Sequence, residues 1–201
     1  MLRLSGGEMP KRVDHEQRRR ELSEALVRCA RVKGLHAVGY REVAADAGVS
    51  LNLVQYYFPS KEKLLLGGLV HLRAVMTRRL RERLEAFGDE DPVKRVRLIL
   101  GELLPHDETS MDLYRVHAAY AALALTDPGL AAQPHTAGPD EIQPELTDLL
   151  ARSGHPDPEV AAVALLGMVT GLSAYTASGY LTHEQAVRAL DLQVELVFAR
   201  S

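Results

Sequence analysis

Apolar residues recur along this chain at the three- and four-residue spacing of helices packed on one side, which predicts an all-α fold. A first helix is expected over residues 14–33, opened by the capping pair Asp14 and Gln17 and stopped by Gly34. Its inward positions are Leu22, Ala25, Leu26, Cys29 and Val32. A short second helix follows over residues 41–47, with Val43, Ala44 and Ala47 on its apolar face, and Gly48 supplies the left-handed residue that ends it. Ser50 is a good N-cap for a third helix, which Pro59 terminates. Residues 60–87 read as one continuous helix, on the order of 40 Å at 1.5 Å per residue, broken by Gly88 and the acidic run after it. Asp91 then caps a helix with Pro92 in its first turn, and Val96, Leu98, Ile99, Leu103 and Leu104 supply core before Pro105 closes it.

Residues 41–58 differ in character from the rest. Two short helices joined by a tight glycine-containing turn form a helix-turn-helix unit, whose second member enters the major groove of DNA. The second helix here carries polar and aromatic groups where a core helix carries Leu and Ile. Helical spacing turns Val49, Val54 and Phe58 towards a three-helix core and leaves Leu51, Asn52, Gln55 and Tyr56 facing outward. Asn52 and Gln55 each offer a donor and an acceptor suited to adenine, and Leu51 an apolar contact for a thymine methyl. Ser50, Tyr56, Tyr57 and Lys61 suit phosphate, Lys61 with the help of backbone N–H groups at the next helix start. The competing reading of the same pattern is an αα-corner in some other helical domain.

Gly48-Val49-Ser50, Tyr56-Tyr57-Phe58 and Ser60-Lys61-Glu62-Lys63-Leu64-Leu65 together resemble the signature of the TetR family of one-component bacterial regulators. The resemblance implies a homodimer that binds a pseudo-palindromic operator, most often as a repressor, and leaves it when a small effector occupies the other domain. With the break at Gly88, the expected division is an arm at residues 1–13, a DNA-binding domain at 14–60, a connecting helix at 61–87, and a ligand-binding and dimerisation domain at 88–201. In the family the connecting helix carries ligand-driven movement, and the arginines from Arg73 to Arg83 are expected to keep its outer face wet. Two positions depart from the pattern. Gln55 stands where the family often has Tyr, and Gly39 where it usually has a Ser or Thr cap.

The formal net charge of −3 hides a split. Residues 1–86 hold 17 Lys and Arg against 10 Asp and Glu, a balance of +7, while residues 87–201 hold 7 against 17, a balance of −10. A basic part beside an acidic one fits a module that neutralises phosphates joined to one with no reason to approach them. Arg18, Arg19 and Arg20 on the first helix stand either against the DNA backbone or in solvent. The lone Cys29 reads as a packed thiol, which excludes a disulfide framework or a cysteine metal site. The opening residues lack the apolar stretch of a secretion signal, so the expected compartment is the cytoplasm.

Residues 110–126 form an aromatic-bearing helix with Leu113, His117, Tyr120 and Ala124 on one face and Met111, Tyr114, Ala118 and Leu125 on a neighbouring one. Either face offers an apolar wall with a few polar tips, as small-molecule pockets do, and either equally suits plain core. Met111, Tyr114, His117 and Tyr120, with Met168, Leu172 and Tyr175 from a later helix, are the candidate effector contacts and suggest a largely apolar ligand. Residues 127–140 read as a loop, followed by a helix to residue 152. No Asp, Glu, Lys or Arg occurs between Val160 and Thr182, long enough for a membrane span. The segment is only moderately apolar and lacks a basic flank, so burial against its own domain and a second subunit explains it better. Ala164, Gly167, Gly171 and Ala174 form a small-residue seam that lets helices approach closely. With Leu190, Val194 and Val197 of the final helix, opened by Thr182 and Gln185, they would build a four-helix dimer core as the family resemblance implies.

The chain has no phosphate-cradling glycine loop, no nucleophile elbow and no metal-ligand spacing of His and Cys. His15-Glu16 and His183-Glu184 begin like a zinc motif, but Arg19 and Val187 stand where its second histidine belongs. No catalytic residue, metal or cofactor is expected. The alternatives are a helical dimer that binds a small molecule without a DNA role, and an enzyme using His117 as a base.

Overall fold

The computed structural model describes residues 9–132 and 142–199, with side chains from Asp14 onward, and the regular elements among them are helical. They are α1 (Met9–Lys33), α2 (Tyr40–Ala47), α3 (Leu51–Tyr57), α4 (Lys61–Phe87) and α5 (Pro92–Leu103), then α6 (Glu108–Ala124), α7 (Pro128–Ala131), α8 (Ile142–Arg152), α9 (Pro158–Ala177) and α10 (His183–Phe198).

Local chemistry sets most of these boundaries. Gly48 ends α2 at φ 65°, a left-handed conformation that costs glycine nothing. Ser50 and Ser60 then cap α3 and α4, each hydroxyl accepting a backbone N–H at 3.2 Å, from Leu53 and Lys63. Asp91 accepts the Val93 and Lys94 N–H groups at the start of α5, and Thr182 and Gln185 cap α10 reciprocally. Where Gly39 offers α2 no side chain, Glu42 reaches back and its carboxylate accepts the Gly39 N–H at 3.0 Å.

The structure corrects several expectations. Helix α1 begins at Met9, so residues 9–13 extend it instead of forming an arm, and residues 1–8 lie outside the described residues. Asp14 and Gln17 therefore sit within the helix, where they cap nothing. Val32 is 84 % exposed, because α1 packs through Leu22, Leu26, Cys29 and Ala30 instead. Within the expected loop, Asp127 caps the short α7; residues 133–140 lie outside the described residues.

Two apolar clusters hold the molecule together. One joins α1, α2, α3 and the first half of α4, and draws in Val116 and Tyr120 of α6 and Leu130 of α7. The other joins α5, α8, α9 and α10. Helix α4 serves both, giving Leu64, Leu65, Leu69 and Leu72 to the first and Leu80 and Leu84 to the edge of the second. Its Gly67 and Gly68 allow close approach: a Cβ at Gly67 would overlap the Phe58 ring, and one at Gly68 would overlap Leu26 and the Tyr120 hydroxyl.

Candidate DNA interface and effector cavity

Helix α3 is amphipathic across its short length. Val54 and the following Phe58 are fully buried in the first cluster, whereas Leu51, Asn52, Gln55 and Tyr56 are exposed. The outward face therefore rests on a rigid apolar back. Tyr56 and Tyr57 meet edge to face with ring centroids 5.2 Å apart, and His15 of α1 lies against both, at 6.1 and 5.5 Å. The spacing of helix positions gives no signal for His15, because it reaches the tyrosines only through the packing of α1 beside α3. Ser50 is committed as a cap acceptor, leaving its O–H to donate outward, and Lys61 is exposed in the first turn of α4. Arg18 pairs with Glu21 at 2.7 Å and Arg19 stacks over the Phe58 ring at 5.1 Å. Arg28 clamps Asp46 through Nε and Nη2 at 2.9 and 2.7 Å, tying α1 to α2.

A cavity of about 1090 Å³ opens between α4, α5, α6, α8 and α9. Met76, Leu80, Leu113, Leu166 and Val169 give it apolar walls, and Tyr114 and His117 face it from α6. Burial pushes the His117 imidazole below its ordinary value and the Tyr114 phenol above its own, so both stay neutral near pH 7. Thr170 and Ser173 also line it, with hydroxyls spent on the Leu166 and Leu103 carbonyls at 2.8 and 3.1 Å. The walls are more charged than the sequence suggested. Glu102, nearly buried, receives Arg83 at 2.8 Å and Arg79 at 3.5 Å, and Arg95 lies between Glu90 and Glu145 at 3.2 and 3.5 Å. Arg73 and Arg79 thus face the cavity, not the wet outer side expected of them.

A family model of tetR-family bacterial regulatory proteins matches residues 22–67, and one for the C-terminal part of BetI-type transcriptional repressors matches residues 92–199, more than half of the chain. The chain belongs to the TetR family. It is 32 % identical over 116 residues to the HTH-type transcriptional regulator PksA of Bacillus subtilis, a stretch covering 58 % of this chain and 56 % of PksA. The chain thus spans little more than half the length of that relative. A transcriptional regulator from Rhodococcus sp. Rha1 has the same fold at a TM-score of 0.76 and 31 % identity, over 90 % of this chain and 96 % of that one. At 20 % identity and a TM-score of 0.75, a regulator from Saccharomonospora viridis, solved in complex with choline, shares the fold over 90 % of this chain and 96 % of its own.

In this TetR-family chain the sequence-predicted effector residues part company. Only Tyr114 and His117 line the cavity. Tyr120 is wholly buried in the first cluster and Leu172 in the second, Met168 packs at the second cluster's edge, and Met111 is half-buried away from the cavity. Tyr175 is 52 % exposed and lies tilted against Tyr180, with ring centroids 5.1 Å apart. The small-residue positions Ala164, Gly167 and Ala174 are exposed on α9 and Gly171 half so, beside exposed Val160 and Val163. Gly167 and Val163 also reach the cavity rim. Leu190, Val194 and Val197, expected at the subunit interface, instead pack against α5 and α9 of their own chain; Leu192 and Leu196 are the large apolar residues that α10 exposes. Helix α9 has the length and hydropathy of a membrane span, yet one side of it is packed against α5, α6, α8 and α10. Among the described residues no group of three or more His, Cys, Asp or Glu is placed to hold a metal ion.

Proposed function

We propose that this TetR-family regulator is a cytoplasmic, ligand-responsive repressor that binds a pseudo-palindromic operator as a homodimer and releases it when a small, largely apolar effector enters the cavity. The observation that carries this reading is α3: Asn52, Gln55 and Tyr56 stand out from a helix whose back is locked by Val54 and Phe58. Asn52, Gln55 and Leu51 read base edges, while Ser50, Tyr56, Tyr57 and Lys61 hold phosphates. The exposed apolar strip of α9 and α10, from Val160 and Ala164 to Leu192 and Leu196, covers its twin in the dimer. That pairing sets two α3 helices about 34 Å apart, one turn of the duplex.

Selection of bound duplexes from a random pool, followed by gel shifts over a salt series, tests the proposal. The expected result is a palindromic site whose affinity falls steeply with salt. Lys61→Ala and Tyr56→Ala weaken binding to every sequence, and Asn52→Ala costs about 1–3 kcal/mol at the position it reads. No salt-dependent retention of any duplex would sink the regulator reading in favour of a small-molecule-binding dimer.

A further inference from the structure

The charges lining the cavity are paired with one another, although Glu102 Oε2 accepts no hydrogen bond among the described residues, and two neutral hydrogen-bonding groups have no partner at all there. Glu102 lies between the guanidiniums of Arg79 and Arg83, Arg95 lies between Glu90 and Glu145, and Arg73 has an interaction of its own. Arg81 and Glu85, four residues apart on α4, are exposed at the rim. By contrast, neither the Tyr114 hydroxyl nor a ring nitrogen of His117 has a hydrogen-bond partner among the described residues, and the two sit three positions apart on the cavity face of α6.

We propose that the effector is an uncharged, mostly apolar molecule carrying a hydroxyl or carbonyl oxygen that meets Tyr114 and His117. An ion entering this space sheds its hydration and finds no unmatched counter-charge on the inner wall. It gains attraction only by breaking a pair, which strands the displaced partner. A quaternary ammonium such as choline is held by faces of several aromatic rings or by a free carboxylate. Among the described residues the aromatic lining is one tyrosine and one imidazole, and Glu102, though its Oε2 accepts no hydrogen bond, already faces two guanidiniums. A neutral ligand leaves the ion pairs intact, lays its apolar body on Met76, Leu80 and Val169, and uses the two neutral groups that await a partner. Each can donate or accept: the neutral imidazole through its two nitrogens, the phenol through its O–H.

This inference rests on the cavity being the effector site, and the test separates the two. The full chain is titrated calorimetrically with three probes on one ring system: 2-naphthol, 2-naphthoate and 2-naphthyltrimethylammonium. Naphthol is expected to bind at least about tenfold more tightly than either ion, and Tyr114→Phe and His117→Leu each to weaken it by about three- to tenfold. Circular dichroism verifies that both variants fold, and Tyr114→Phe alone carries the test if His117→Leu does not. Binding led by either ion, or by none of the three, overturns the proposal. An ion preference that still depends on Tyr114 or His117 leaves the cavity standing and rejects only the neutral class. A naphthol preference indifferent to both substitutions rejects the cavity.

Discussion

Arg31 Nη2 lies 2.7 Å from Asp112 Oδ2, an ion pair that joins the last turn of α1 to the N-terminal part of α6. Tyr114 and His117 reach the cavity from that same helix, and Val116 packs into the cluster that backs α3. A ligand that shifts α6 must therefore pull on α1. Arg31 is half exposed and Asp112, though largely covered, keeps Arg115 as a second partner at 3.4 Å, so losing the pair costs about 0.2–1 kcal/mol. Arg31→Ala is accordingly expected to lower the urea midpoint only slightly. It should reduce severalfold the factor by which 2-naphthol weakens operator binding, measured by gel shift with and without the probe. An unchanged factor would show that the coupling runs elsewhere.

Gly68 is fixed by its neighbours, since a Cβ there would meet Leu26 and the Tyr120 hydroxyl in the crowded crossing of α4 with α1 and α6. Gly68→Ala is expected to destabilise the fold by about 1–3 kcal/mol through overpacking. Gly101→Ala, in α5 with open space around the added carbon, should instead gain up to about 1 kcal/mol of helix propensity. Chemical denaturation of the two variants side by side decides whether crowding or glycine's flexibility dominates at Gly68.

The hydroxyl of Tyr120 is fully buried without a hydrogen-bond partner, and desolvation drives its ionisation far upward. An unsatisfied buried hydroxyl costs about 1–3 kcal/mol. Tyr120→Phe, which keeps the ring and removes the oxygen, should therefore leave stability unchanged or raise it, by up to about 1 kcal/mol in urea unfolding. A marked loss would show that the hydroxyl has a partner after all, such as a buried water.

His117 and His71 are both held below the ordinary histidine value, in each case chiefly by burial. The unfolded chain takes up protons at about pH 6.5 that these two native side chains still refuse. The stability due to their neutral form is thus complete above that pH and lost as pH falls from about 6.5 towards the depressed native values. The urea midpoint is expected to drop across that window. His117→Gln, which keeps a polar group that cannot titrate, should make the drop shallower.

Most features that depend on a few adjacent residues could be read from the chain alone; the Asp14 and Gln17 pair, overrun by α1, could not. Gly48, Ser50, Ser60, Asp91-Pro92 and Thr182 with Gln185 specify helix ends through backbone geometry and capping bonds that close within a turn, and they act where expected. The outward set on α3 was equally legible, because Val54 and Phe58 leave one way for so short a helix to face. What remained for the tertiary structure was the partner of each face on the longer helices. Helix α9 is apolar nearly all round, so its periodicity cannot say that Leu172 turns into the core while Thr170 turns to the cavity. Nor does spacing reveal that Arg79 meets Glu102, since their helices come together only in three dimensions and water and a buried carboxylate are equally plausible neighbours for an arginine in a sequence. Local bonds fix where a helix starts and stops. Which of its sides is covered, and by what charge, depends on surfaces distant in the chain that only the packed fold brings together.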